Sequence, residues 1–169
     1  MQGAKALVEV LRQSGVQHIF GLPGDTGMAL YESLRQNQDE ITHVMTRDER
    51  SASFMADVYA RVSGRVGICE GPSGGGATYI VPGVAEAHGS AIPLVCLTSD
   101  TPVGQAGRGV LTELDQETLF RPITKWNIRI NSPEDDGGND APGAAHGDDR
   151  ASGWRSLVAP DRFARRGDR

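Results

Sequence analysis

The sequence predicts an α/β fold in which a parallel sheet carries helices on both faces. Three observations lead to this prediction. Up to about residue 130, segments with helical periodicity alternate with short apolar runs rich in β-branched residues. Several of these runs stop at glycine, where the chain can turn into the next helix. The most apolar run, AIPLVCLTSD, is typical of a central strand buried on both faces.

The predicted elements follow one another in a regular order. Helices are predicted over 2–14 and 26–36, up to Gly64, over 75–90 and from Asp115, and strands in QHIFG, ITHVM, RVGICEG, AIPLVCLTSD and ITKWNIRI. Pro82 should kink or delay the helix over 75–90, because proline lacks the amide hydrogen that a helix interior needs. In the helix up to Gly64, the spacing predicts an apolar arc of Ala52, Met55, Ala56, Tyr59 and Val62.

The composition changes abruptly at Asn131. Residues 131–169 contain 14 charged side chains and 6 glycines but only four large apolar residues. Such a segment buries too little apolar surface to offset the entropy lost on ordering. We therefore expect one α/β domain over residues 1–130 and a low-complexity, disordered tail over 131–169.

Charge and composition exclude several classes of partner. A net charge of −5 argues against a nucleic-acid surface, which would need a basic excess. The first residues lack the apolar core of a signal sequence, and no run has the length of a membrane span. Cys69 and Cys96 lie in short apolar segments, where buried thiols are the common outcome. A cytoplasmic protein without membrane or nucleic-acid partners is expected.

Glycine-rich corners follow two of the predicted strands, at the sheet edge where α/β proteins bind ligands. In GLPGD, Pro23 stiffens a turn in which Gly21 and Gly24 permit close approach, although an ordinary strand-to-helix turn explains it equally. In EGPSGGGAT, the closely spaced glycines are typical of a backbone that contacts a planar or anionic ligand. A flexible loop is the alternative. This second corner matches neither the phosphate-loop motif nor the dinucleotide fingerprint. Its candidate residues are Gly71, Pro72, Gly74, Gly75 and Gly76.

Glu49 stands at the beginning of the helix that ends at Gly64. One explanation is helix capping, with Asp48 as the N-cap and Glu49 in the first turn, where the helix dipole favours acidic residues. The other is a carboxylate on the rim of an apolar site, where it exchanges a proton with a ligand. Position alone leaves both open.

Four segments, in order, resemble the N-terminal pyrimidine-binding (TPP-binding) domain of thiamine-diphosphate-dependent enzymes of the acetolactate synthase type. They are IFGLPGD, RDERSASFMADVYARVSGRVGICEGPSGGGAT, GVAEAHGSAIPLVCLTSD and GRGVLTELDQETLFRPITKWN, and the resemblance runs over residues 2–130. It implies that Glu49 is catalytic and hydrogen-bonds N1′ of the aminopyrimidine, so that the cofactor forms the carbanion that attacks a 2-keto acid. It also implies that both glycine corners line the pyrimidine pocket.

The sequence departs from the family pattern at three positions. Asp48 stands where many relatives have histidine, and Leu111 and Thr112 stand where acetolactate synthases commonly have a Phe-Gln pair that faces substrate. The substrate loop is therefore expected to differ from that of acetolactate synthases. His18, His43, His88 and His146 match no family role and are interpreted as core or surface residues.

The resemblance further implies a second binding domain. In the family, a diphosphate-binding domain of another subunit holds magnesium through a Gly-Asp-Gly motif and a later asparagine, and the 169 residues contain no Gly-Asp-Gly. We therefore expect no metal ligands in this chain and a homodimer or a separate diphosphate-binding chain as partner. The parent family consists of enzymes, carboligases and lyases, whereas this chain alone should be inactive. A non-catalytic subunit and an inactive fragment are the alternatives.

The tail suggests one more hypothesis. Residues 147–153, GDDRASG, can be encoded so that a one-nucleotide shift reads Thr-Thr-Gly-Arg-Pro-Gly, which resembles the ATTGRPGP segment that ends the pyrimidine domain in relatives. Residues from about 136 onward would then be a frameshifted part of a longer gene. Sequencing the gene tests this, because the nucleotides must encode that phrase in another frame.

Overall fold

The computed structural model describes residues 3–130 and a strand at 152–159. The helices are α1 (Gly3–Gln13), α2 (Met28–Gln36), α3 (Glu49–Ser63), α4 (Gly75–Tyr79), α5 (Val81–Gly89) and α6 (Gln116–Phe120). The strands are β1 (His18–Gly21), β2 (Thr42–Met45), β3 (Gly67–Gly71), β4 (Leu94–Pro102), β5 (Trp126–Ile130) and β6 (Ser152–Ala159). Short 3-10 turns lie at Asp25–Gly27, Val103–Gln105 and Arg121–Ile123.

One six-stranded sheet, in the order β2-β1-β3-β4-β6-β5, forms the centre of the molecule. Strands β1 to β4 pair in parallel. Successive residues of these strands point to opposite faces, so Ile19 packs with α1 and α2 whereas Phe20 packs with α3 to α6. Each face has its own buried apolar cluster. The predicted class, a parallel sheet with helices on both faces, is confirmed.

The helix predicted over 75–90 is divided in two at Ile80. Pro82 lies in the first turn of α5, where its missing amide hydrogen leaves no helical hydrogen bond unmade. Helix α4 therefore ends at Tyr79, and the predicted effect of Pro82 is confirmed.

The buried face of α3 differs from the predicted apolar arc. Its buried residues are small or polar, whereas Met55 and Val62 are exposed. The buried residues are Glu49, Ala52, Ser53, Ala56, Asp57 and Ala60. Close backbone approach explains the correction, because a Cβ on Gly67 of β3 would lie 2.1 Å from the Ala56 carbonyl oxygen. Only small residues fit where α3 comes closest to the sheet, so Met55 and Val62 point outward, whereas Tyr59 packs beside Phe20 of β1.

Part of the predicted tail is a strand. Ser152–Ala159 pairs antiparallel with both β4 and β5. The pairing covers the edge of β4 that would otherwise lack a neighbouring strand. The rest of 131–169, and most of the segment addressed by the frameshift hypothesis, lies outside the described residues.

Two further expectations concern the cysteines and membrane-spanning helices. Cys69 and Cys96 are buried free thiols on neighbouring strands, as predicted. None of the six described helices has both the length and the apolarity needed to cross a bilayer.

Candidate functional site

Glu49 is the first residue of α3, directly after the turn that follows β2. The N-cap role belongs to Asp48, whose Oδ1 accepts a hydrogen bond from the Arg50 amide at 2.8 Å. The Arg50 side chain also donates to the Asp48 carboxylate, and this contact lowers the pKa of Asp48 to about 2. The predicted N-cap is therefore confirmed, and the Glu49 carboxylate takes no part in the capping contacts.

The Glu49 side chain is almost buried, with 8% of its surface exposed, and points toward the second glycine corner. The Glu49 Cγ lies 3.5 Å from the position that a Cβ on Gly71 would take. The Glu49 Oε1 lies 3.0 Å from the position that a Cβ on Gly76 would take. Among the described residues, none forms a hydrogen bond or an ion pair with this carboxylate. The Glu49 carboxylate can therefore accept a hydrogen bond from a donor that approaches this corner.

The glycines of the two corners make room mainly for the protein's own side chains. A Cβ on Gly24 or on Gly76 would lie 2.5 Å from an atom of the Pro72 ring. A Cβ on Gly21 would lie 1.7 Å from Oε1 of Glu70, on the sheet face opposite α3. Gly75 alone of the corner glycines has open space where a side chain would project. Pro72 thus links the two corners beside Glu49.

A chain of hydroxyl groups holds the corners, β4 and the following loop together. Thr26 Oγ1 lies 2.7 Å from Ser99 Oγ and 3.3 Å from Ser73 Oγ, and Ser73 Oγ lies 2.6 Å from Thr112 Oγ1. Thr112 has φ of 65°, a left-handed conformation that is uncommon for a non-glycine residue. It packs on Gly74, since a Cβ there would lie 2.9 Å from Thr112 Cα.

The two predicted substrate-loop residues therefore have different environments. Thr112 is fixed to the second corner by contacts with Ser73 and Gly74. Leu111 is 88% exposed and projects away from the protein. Glu113 braces the loop by accepting hydrogen bonds from the amides of Gly107, Gly109 and Val110, and these bonds lower its pKa.

An open groove of about 860 Å³ runs along the outer side of α3. Its apolar lining includes Phe54, Met55 and Val58, which are between 39% and 53% exposed. Asp48 and Arg50 line the same groove, so it begins next to the N-terminus of α3 and the Glu49 site.

Three residues without a predicted role in the site, Tyr31, His43 and Glu70, meet on the other face of the sheet. Glu70 accepts hydrogen bonds from Tyr31 and His43, both at 2.8 Å. Pro23 lines a second cleft on that face together with Tyr31 and His43. The available signal was the acidic Glu70 inside the strand GICEG, all five residues of which are buried.

The chain matches the family model described as thiamine pyrophosphate enzyme, N-terminal TPP binding domain, over residues 1–119. Curated relatives match the same part of the chain. A probable acetolactate synthase large subunit of Methanocaldococcus jannaschii is 39% identical over 135 residues, 80% of this chain and 22% of the relative. A probable acetolactate synthase large subunit of Methanococcus aeolicus is 42% identical over 130 residues, 77% of this chain and 21% of the relative.

A bacterial relative shows the same proportions. The acetolactate synthase isozyme 1 large subunit of Escherichia coli is 35% identical over 133 residues, 79% of this chain and 24% of the relative. The chain therefore spans between about a fifth and a quarter of the length of these relatives.

Proposed function

Because the chain belongs to the thiamine pyrophosphate enzymes and contains their N-terminal TPP binding domain, we propose that its site binds the aminopyrimidine half of thiamine diphosphate. The observation that carries this proposal is the Glu49 carboxylate, which is 8% exposed and has no partner among the described residues. A ring nitrogen of the aminopyrimidine can supply the missing hydrogen bond. The bond would be strong because one partner is charged and water is largely excluded.

The residues around Glu49 suit a flat heterocycle. Gly71 and Gly76 border the carboxylate, and Pro72 gives the corner a rigid apolar surface. Gly75 leaves open space at its Cα, so a ring can approach the backbone there. We propose that Gly21, Pro23, Gly24 and Gly74 support this pocket by fixing the two corners. Thiamine diphosphate, when bound, supplies the carbon nucleophile for reactions of 2-keto acids.

We propose that magnesium and the diphosphate are held by residues outside the described part of this chain. Among the described residues, no group of three or more His, Cys, Asp or Glu side chains could hold a metal ion. A diphosphate-binding domain in a second copy, or in a separate chain, would complete the site. The apolar groove on α3 starts beside Asp48 and Arg50, so a partner covering it would also cover the Glu49 pocket.

On this proposal the activity belongs to an assembly of the acetolactate synthase type that acts on 2-keto acids. Thr112, attached to Ser73 and Gly74, is the loop residue that would approach the substrate, whereas Leu111 points outward. The alternative is a subunit that contributes binding without turnover.

Isothermal titration calorimetry of thiamine diphosphate with Mg²⁺ into the purified chain tests the proposal. Saturable binding that Glu49→Gln weakens about tenfold or more is expected, since a hydrogen bond to a charged group contributes about 1.5–3 kcal/mol. Glu32→Gln is the matched control, because Glu32 is an exposed residue paired with Arg35. The absence of saturable binding, or equal weakening by both substitutions, would overturn the proposal.

A further inference from the structure

The second buried carboxylate of the sheet has a full set of partners. Glu70 is the penultimate residue of β3 and has 1% of its surface exposed, and its side chain lies on the α2 face. Oε2 accepts from the Tyr31 hydroxyl and Oε1 pairs with His43 Nε2, each at 2.8 Å. The ring of Tyr31 also meets the ring of His43 edge-on, with centroids 5.9 Å apart.

Tyr31 connects this carboxylate to the first glycine corner. Its hydroxyl oxygen accepts a hydrogen bond from the Gly24 amide at 3.2 Å while its hydrogen is donated to Glu70. Burial and the negative charge of Glu70 raise the pKa of Tyr31, so the phenol remains protonated and keeps its donor role. The direction of the hydroxyl group is therefore fixed by its two partners.

From Gly24 the contacts continue to the proposed pocket. Gly24 packs against Pro72, Pro72 packs against Gly76, and Gly76 borders the Glu49 carboxylate. The path passes from the α2 face, around the carboxyl edge of the sheet, to the α3 face. A change in the position of Gly24 must therefore move Pro72 or open a gap between the two corners.

The backbone leaves the network little freedom. A Cβ on Gly21 would lie 1.7 Å from Glu70 Oε1, so the side chain of Glu70 passes directly over this glycine. A Cβ on Gly27 would lie 2.6 Å from the Tyr31 ring. Both side chains of the network thus occupy space that only glycine leaves available.

We propose that Tyr31, held by Glu70 and His43, is a positioning residue that fixes the Gly21–Gly24 corner against Pro72 and thereby sets the shape of the pocket beside Glu49. This inference rests on the proposed function of that pocket. It assigns a ligand-related role to a network that touches no part of the pocket itself.

Amide hydrogen exchange measured by NMR on the full chain without ligand tests the positioning step. In Tyr31→Phe the Gly24 amide should exchange about threefold to tenfold faster, because its acceptor is lost. The amides of Cys69 and Leu97, in the centre of the sheet, should exchange as in wild type. Tyr59→Phe is the matched control, since it removes a hydroxyl that forms no hydrogen bond to Gly24. Unchanged Gly24 exchange in Tyr31→Phe would overturn the inference.

Variants of Glu70 separate positioning from general stability. Glu70→Gln keeps an oxygen that can accept from Tyr31, so Gly24 exchange should stay within about twofold of wild type. Glu70→Leu removes the acceptor, and Gly24 exchange should rise as in Tyr31→Phe. Equal Gly24 exchange in the two Glu70 variants would contradict the role of Glu70 in holding Tyr31. Should Glu70→Leu fail to fold, Tyr31→Phe alone decides.

Calorimetry with thiamine diphosphate and Mg²⁺ then tests the link to the pocket. Tyr31→Phe should weaken binding about threefold to tenfold, whereas Tyr59→Phe should leave it unchanged. Equal affinity in wild type and Tyr31→Phe, with Gly24 exchange accelerated, would overturn the link. No binding by wild type would instead refute the proposed function, and the exchange rate of Gly24 distinguishes the two failures.

Discussion

Glu49 and Glu70 are two nearly buried carboxylates on opposite faces of one sheet edge. They are 8% and 1% exposed, respectively. Glu70 uses both oxygens, in contacts with Tyr31 and His43, whereas Glu49 has no hydrogen-bond or ion-pair partner among the described residues. Burial alone therefore does not distinguish the two carboxylates. The hydrogen bonds that the fold supplies do.

The difference implies opposite energetic roles. The contacts of Glu70 are part of the folded state, so removing its carboxylate should destabilise the protein. The Glu49 carboxylate is nearly buried, receives no hydrogen bond from the described residues and is favoured only by the helix dipole, so the fold should tolerate or favour its removal. On the proposed function, Glu49 would be kept for its ligand rather than for the stability of the fold.

Removing the Glu70 carboxylate should give the largest change in the free energy of unfolding. Glu70→Leu leaves the Tyr31 hydroxyl and the His43 ring without their acceptor, and the free energy of unfolding should fall by about 3 kcal/mol. Urea unfolding followed by circular dichroism measures the loss. If Glu70→Leu unfolded at the same urea concentration as wild type, the hydrogen bonds of Glu70 would not stabilise the fold.

Two adjacent glycines test the packing around Glu49. Gly76→Ala should lower the free energy of unfolding by about 2 kcal/mol, because the new Cβ would lie 2.5 Å from the Pro72 ring and 3.0 Å from Glu49 Oε1. Gly75→Ala is the control, since nothing lies within 4 Å of its Cβ position. Thermal unfolding of both variants measures the difference, and equal midpoints would contradict the described contact between Gly76 and Pro72.

Removing the charge of Glu49 should have a smaller effect of the opposite sign. In the absence of ligand, Glu49→Leu should raise the free energy of unfolding by about 1 kcal/mol, because a nearly buried carboxylate without a partner is replaced by an apolar group. The same urea experiment used for Glu70→Leu measures it. A loss of stability as large as that of Glu70→Leu would show that Glu49 has a structural role after all.

The smallest effect concerns the neighbouring residue, Asp48. Its pKa is lowered to about 2 in the folded protein from an ordinary value of 3.8, through contacts with Arg50. The stabilisation is therefore complete above about pH 4 and is lost as the pH falls toward 2. Asp48→Asn keeps the N-cap but not the charge, so its melting temperature should be slightly below wild type at pH 6 and equal to it near pH 2. A difference that does not change with pH would contradict this assignment.

Local sequence signals predicted the elements well. The glycines that follow the strands, the N-cap Asp48 and the interruption at Pro82 were all readable, because each acts through its own backbone or its immediate neighbours. The α3 face was predicted only in part. Ala52, Ala56 and Tyr59 face the core as expected, but Met55 and Val62 do not. Periodicity ranks residues by hydrophobicity and cannot show that the sheet approaches closely enough to admit mainly small side chains. The pairing of β6 with β4 could not be predicted from local patterns, because an open strand edge is a property of the folded sheet.

The candidate site was predictable only in part. Glu49 was found through its place at the beginning of a helix and through the family resemblance. Its lack of partners could not be read from sequence, because that depends on which side chains reach it. The partners of Glu70 come from α2 and β2, residues 31 and 43, and no local pattern joins these positions. Long-range hydrogen bonds were therefore the main part of the site that sequence reasoning could not supply.

One spectrum can observe both carboxylates directly. The chain is labelled with ¹³C at the glutamate side-chain carboxyl carbon, the two signals are assigned with Glu49→Gln and Glu70→Gln, and thiamine diphosphate with Mg²⁺ is added stepwise. The Glu49 signal should shift and saturate, whereas the Glu70 signal should move much less. A stationary Glu49 signal, or a larger shift at Glu70, would contradict the assignment of Glu49 to the ligand and of Glu70 to the fold.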